Sequence, residues 1–213
     1  DNHITIVNNT LSGGILHISR IQQISSKYHT MISNILDVMK DPNKRGKMLI
    51  YHSNVVMTGV FLIEQILLMN GFISDNMSPG HNTLCSICGI ISGEHMDSKH
   101  MFKSARYMLI HGALDKQIVE SNIDKYNDID NTDGNEIIAF IGSQMMSESY
   151  DFKAVQHLFI MDKPDNIPML VQIIGRTVRK DSHVHLPVNK HLVSIRIYTS
   201  CLPNGDLSYY EKK

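Results

Sequence analysis

Short apolar runs alternate along this chain with stretches in which apolar residues recur every three or four positions. The runs are "MLIYHS" from Met48, "RYMLIHG" from Arg106, "NEIIAFIGS" from Asn135, "HLFIMD" from His157 and "LVSIRIYTS" from Leu192. Helical spacing is clearest in "SSKYHTMISNILDVMKD", with Tyr28, Met31, Ile35 and Val38 on one face, serines to cap the start and "DPNKRG" to stop it. It recurs at Val56, Val60, Ile63 and Leu67, closed by Asn70-Gly71, and again at Val119, Ile123 and Tyr126. Strands that feed helices, four of the five with short apolar cores, are the units of a parallel sheet covered on both faces. The five runs therefore predict an α/β doubly wound domain with a mainly parallel sheet. Upstream, "ITIVNNT" and "ILHIS" are short β-rich runs separated by Ser12-Gly13-Gly14, which reads as a hairpin or an entry strand. The stretch 73–103 breaks the rhythm and reads as a small inserted segment carrying Cys and His.

The segment "VQIIGRTVRKDSHVHLP" beginning at Val171 poses the sharpest question. On a continuous helix, Gln172, Arg176 and Arg179 would fall at about 0°, +40° and −20°, on one narrow face. Ile167, Leu170, Val171, Ile174 and Val178 would then form the buried side, with Asn166 as cap and Pro168 in the first turn. Gly175 costs about 1 kcal/mol of helix propensity against Ala, which suggests close approach of something to the backbone there. Two guanidinium forks at the carboxyl side of a parallel sheet suit bidentate phosphate recognition. The bland alternative is a solvated arginine face.

Charge and composition narrow the classes. Twenty basic and 21 acidic side chains leave a net charge of −1, so any nucleic-acid contact must be local. No run approaches the roughly 20 apolar residues of a membrane helix, so no membrane role is expected. Three cysteines argue against a disulfide framework. The absence of an initial Met suggests a piece of something longer.

"QIIGRTVR" resembles motif VI (Gln-x-x-Gly-Arg-x-x-Arg) of superfamily 2 helicases and DNA-dependent ATPases. "KMLIYHS" is similar to their motif IV, and "IGSQMMSESYDF" followed by "VQHLFIMD" to motif V and the next strand. Within that superfamily, "GRTVRKDSHVHLPVNKHLVSIRIY" and "CSICG" with "HMFKSARYMLIHG" resemble the ATPases of large cytoplasmic DNA viruses of poxvirus and asfarvirus type. The pattern is nearest the small subunit of the early transcription factor and, second, nucleoside triphosphate phosphohydrolase I. The resemblance implies a RecA-like second helicase lobe over about residues 45–200, an N-terminal extension of strands and a helix over 1–44, and a tail over 201–213.

By that resemblance Arg176 and Arg179 are arginine fingers toward ATP, and Gln172 orients the γ-phosphate or its water. Gly175, Glu148 and Asp151 belong to the nucleotide side, Asp151 touching ribose or motif VI; its plainer reading is a helix cap. Ser149 stands where the family usually has Gly, which puts tight ATP coupling in doubt. Ser53, Asn54, Gly112, Ser143 and Gln144 sit at strand ends that carry nucleic-acid contacts in this fold, though each alone is an ordinary polar turn residue.

Neither a Gly-x-x-x-x-Gly-Lys-Ser/Thr loop nor an Asp-Glu-x-His/Asp pair is present, so the ATP and Mg²⁺ implied here are held mostly by an N-terminal RecA-like lobe, and this piece alone is expected to be inactive. DNA or RNA, and a viral RNA polymerase or transcription factor subunit, are the implied partners; host cytoplasm, in the viral factory, and the virion are the implied locations. Alternatives are a catalytically weak helicase-like binding module that holds DNA or RNA polymerase, and a repair or restriction helicase lobe. Separately, Cys85, Cys88, His95 and His100 form a zinc-type donor set, with His81 just upstream; a metal-free Cys-x-x-Cys pair is the competing reading.

Overall fold

The structure, a computed structural model, describes residues 4–206 apart from residues 8, 97–98, 148–149, 165 and 203–204. Six parallel strands form one sheet in the order β4-β5-β6-β3-β7-β8: β3 Lys47–Tyr51, β4 Ile73–Ser74, β5 Arg106–Ile110, β6 Ala139–Gly142, β7 Val155–Ile160 and β8 Ser194–Ile197. The chain enters at β3 in the middle, runs out to the edge at β4 and returns through β5 and β6. It then crosses to β7 and β8. Strand order reverses at β3, the place where open α/β sheets bind ligands.

Every residue of "KMLIY" is buried because each face of β3 meets a helical layer. Met48 and Ile50 join the core made with α2 (Ser26–Lys40) and α3 (Val60–Met69). Leu49 and Tyr51 join the opposite core with α4 (Lys116–Asn127) and α5 (Ile167–Gly175). The face foreseen for α2 is the buried one: Tyr28, Met31, Ile35 and Val38 all point inward, and Ser25 caps the Tyr28 N–H. On α3, Val60, Ile63 and Leu67 are buried, but Val56 lies before the helix and is exposed.

Three further expectations are corrected. The hairpin pairs β1 (Ile4–Val7) with β2 (Thr10–Gly13) and turns at Asn9, whose φ is 57°. "ILHIS" instead enters a 3₁₀ turn and the short α1 (Ile18–Ile21), because Asn70 at the end of α3 captures both the Ile18 N–H and the Leu16 carbonyl. The stretch taken as inserted begins with a sixth strand, β4, too short at two residues to leave a pattern.

Candidate functional site

Helix α5 starts beyond the C-terminal end of β7, where Asn166 accepts a hydrogen bond from the Met169 N–H and Pro168 fills the first turn. It runs back along the sheet and ends at Gly175. Arg176 is its C-cap and Arg179 lies in the turn beyond, so the expected continuous helical face across Gln172, Arg176 and Arg179 stops one residue before the first arginine. The buried side is also rotated from expectation. Ile173 and Thr177 are buried, Leu170 and Ile174 pack partly on the core, and Ile167, Val171 and Val178 are exposed. The reason is the turn: Thr177 Oγ1 donates to the Ile174 carbonyl, and the Phe152 N–H donates to the Arg176 carbonyl at 3.1 Å, drawing this side of the helix end against residues leading into β7.

The motif after the helix holds the arginines in place. Asp181 takes a left-handed φ of 65°, and the Ser182 N–H and hydroxyl both reach the Arg179 carbonyl. The Ser182 carbonyl accepts from the Ala154 N–H. His183 Nε2 lies 2.7 Å from the Val155 carbonyl, which can only accept, so Nε2 carries the proton there. "DSH" is therefore the clasp that fastens the segment after α5 onto the start of β7.

Asp151, three residues before Ala154, receives both guanidinium groups. Arg176 Nη1 is 3.4 Å from Asp151 Oδ1, and Arg179 Nη1 bonds Asp151 Oδ2. Asn127 at the end of α4 fixes this loop by donating to the Asp151 carbonyl and accepting from the Lys153 N–H. The carboxylate is 40% exposed and the Arg179 side chain 54%, so the cluster opens to solvent. Ion pairs this exposed contribute about 0–1 kcal/mol to stability. Gln172 is exposed on the last turn of α5. A Cβ added at Gly175 would meet no atom within 4 Å, so within the described residues nothing makes the close approach that this glycine suggested. Glu148 and Ser149 lie outside the described residues.

The location of this cluster corrects the expected one. It sits at the N-terminal rim of the sheet, since α5 runs antiparallel to β7 and ends where β7 begins. The nucleic-acid candidates occupy the opposite rim: Ser53 and Asn54 follow β3, Gly112 follows β5, and Ser143 and Gln144 follow β6. A strand of six residues separates the rims by roughly 20 Å. Ser53, Asn54 and Gln144 line a cleft of about 910 Å³ at the switch point; Ser143 is buried, whereas Asn54, Gly112 and Gln144 are exposed.

Two residues with no part in the sequence reading shape that cleft. Asp162, after β7, accepts a hydrogen bond from the Ser53 hydroxyl. His52 is buried and accepts the Asn54 N–H at Nδ1, 3.0 Å, so it holds the loop only as a neutral imidazole. Burial lowers its pKa to about 4, against a smaller opposing pull from Asp162. Their position directly after β3 and β7 was the available signal. At the other end of β3, away from that cleft, Lys47 is buried, donating to the Tyr126 carbonyl at 2.5 Å and lying 4.0 Å from that ring's centre. Burial brings its pKa down to about 7.

Cys85, Cys88, His95 and His100 converge, their donor atoms all within 4.8 Å of one another. His81 packs on Gly93 instead, where an added Cβ would strike its ring.

The helicase conserved C-terminal domain model matches residues 27–181, from α2 to the clasp after α5. The chain belongs to that family. The fold is accordingly the second, RecA-like lobe of a helicase, and the family boundary takes in α2, whose inner face is part of the same core as β3. An early transcription factor large subunit homolog of African swine fever virus (isolate Tick/Malawi/Lil 20-1/1983) is 38% identical over 92% of this chain and 18% of its own length. The early transcription factor 70 kDa subunit of Monkeypox virus is 32% identical over 86% of this chain and 26% of its own length. The helicase lobe thus spans about a fifth to a quarter of those relatives, within the asfarvirus and poxvirus group that the motifs resemble.

Proposed function

We propose that this lobe supplies the arginine side of an ATP cleft whose other side is an N-terminal RecA-like lobe, and that its C-terminal rim forms part of a nucleic-acid track. The convergence of Arg176 and Arg179 on Asp151 carries the reading. One carboxylate from motif V orients two guanidinium groups at an open rim, and for Arg179, about half exposed like the carboxylate, exchanging it for phosphate oxygens costs little. ATP bound by the partner lobe, with its Mg²⁺, would place a γ-phosphoryl group whose developing charge Arg176 and Arg179 would neutralise, and Gln172 would orient the γ-phosphate or the attacking water. Lobe closure and reopening would then move or remodel DNA or RNA along the opposite rim.

The similarity to subunits of viral early transcription factors supports a setting in early transcription, with a second factor subunit and RNA polymerase as partners in the viral factory and virion. The test is nucleic-acid-stimulated ATP hydrolysis by the full-length protein and its Arg176→Ala and Arg179→Ala variants. Turnover lost in both variants supports the arginine-finger role. Unchanged turnover in both removes it, and no turnover in the unmodified protein would instead make the lobe a binding scaffold.

A further inference from the structure

The described residues between β4 and β5 bring a Cys/His cluster together at the β4–β5 edge of the sheet, beside the residues that lead into β5 and the end of α2. Leu84 pairs with Ile91 and Cys85 with Ser104 in isolated antiparallel bridges, so the Cys85 strand is sewn to the residues leading into β5. The Cys85 N–H donates to the Ile90 carbonyl and the Gly89 N–H to the Cys85 carbonyl, both at 2.8 Å, closing a tight loop around Cys-Ser-Ile-Cys-Gly. Gly89 supplies the left-handed φ of 71° that this loop needs, and a Cβ there would strike the Met39 carbonyl at the end of α2. The Ile90 N–H is directed at the Cys88 sulfur. Both thiols are thereby placed side by side by the backbone alone.

His100 comes back along the returning arm and His95 from the turn between. His100 Nε2 lies 3.4 Å from Cys85 Sγ and 3.1 Å from His95 Nε2. A ring nitrogen has one in-plane direction in which to donate or accept, yet two donor atoms crowd this one. Around a tetrahedral zinc ion, with bonds of about 2.3 Å to sulfur and 2.0–2.1 Å to nitrogen, donor atoms stand about 3.3–3.8 Å apart; the two contacts of His100 lie near that range, and all four donors lie within 4.8 Å of one another. The edge-on contact of the Phe102 ring with His95, 5.3 Å between centres, steadies that imidazole.

We infer that Cys85, Cys88, His95 and His100 form a closed structural site for a zinc ion, which ties the outgoing, turning and returning arms of this segment to the sheet edge and to the end of α2. Two sulfurs with two imidazoles select a borderline-soft ion and disfavour calcium or magnesium. Four protein donors leave no position for substrate water, which makes the role structural. The part carrying the histidines has reason to need it: Leu84 and Ile91 join the core, but Met96 and Met101 beside His95 and His100 are more than four-fifths exposed, so that part has little apolar anchorage of its own.

The experiment is metal analysis of the full-length protein purified without added zinc, alongside Cys88→Ser and His100→Ala, with loading by cobalt as a second readout. The expected result is that each variant holds about one equivalent less zinc than the unmodified protein. Equal zinc in all three overturns the proposal, as does finding Cys85 and Cys88 joined as a disulfide in freshly purified protein. Because either variant could loosen the segment, the unmodified protein decides independently. Its cobalt form should show thiolate charge-transfer and intense tetrahedral visible bands that zinc quenches, and weak octahedral bands alone would also sink the idea.

Discussion

The two rims of the sheet solve opposite problems. The N-terminal rim carries three charged side chains, Asp151, Arg176 and Arg179, with the carboxylate and Arg179 about half in water and held mainly by backbone contacts from the clasp at Ser182 and His183. The C-terminal rim places a neutral, buried His52 beneath an exposed polar loop and ties Ser53 to Asp162. Exposed charge is inexpensive to hold and is available to a ligand. A buried polar group is costly to disturb and fixes the shape around it. Substitutions at the first rim should therefore change chemistry without changing stability, and those at the second should couple the two.

The largest effect is expected from Arg179→Ala: a fall of about 10³–10⁵ in stimulated ATP turnover of the full-length protein, with stability altered by less than about 1 kcal/mol. Comparing turnover with thermal unfolding tests both halves, and a loss of stability matching the loss of turnover would erase the contrast between the rims.

Next is acid. His52 has a folded pKa of about 4 against an ordinary 6.5. The folded state disfavours its protonation, so the contribution is complete above pH 6.5 and is lost as pH falls toward 4, to about 3 kcal/mol at most. Denaturant unfolding at pH 7 and pH 4.5 should show this loss, and His52→Gln should flatten the part of it that His52 supplies. An equal slope in the variant would mean that other groups carry the acid sensitivity.

Asn54→Ala and Gln144→Ala should each weaken single-strand binding by about 1 kcal/mol whatever the base sequence, without altering the salt slope, because neither residue is charged. A changed salt slope would place the track elsewhere.

The smallest effect is at Gly175. Ala there meets open space, so thermal stability should rise by up to about 1 kcal/mol. Turnover in the full-length protein should fall if the facing lobe is what comes close to this backbone, and unchanged turnover would show that nothing does.

Particular residues show where the sequence was readable. Tyr28, Met31, Ile35 and Val38 were legible as one buried face because α2 packs on the sheet along its length, so helical period and burial coincide. Helix α5 was misread because it touches the sheet on one side only and ends in a turn. Leu170, Ile173 and Thr177 occupy the inner arc there, and Ile167, Val171 and Val178 stay in water despite their apolar character. In the candidate site, motif identity left Asp151 touching either ribose or motif VI, and only the fold showed it pairing with both arginines. His52, Asp162 and Lys47 were missed because isolated polar residues at strand ends have no period to reveal them.

The sequence by itself determined which segments are strands and helices with two-sided burial, and which cysteines and histidines could meet, since spacing and side-chain type are local properties. Tertiary structure alone decided the sixth strand, the inner face of α5 and the rim on which the arginines emerge. Those depend on which way a helix runs back across the sheet and what it meets there, contacts between residues far apart in the chain that no local pattern records.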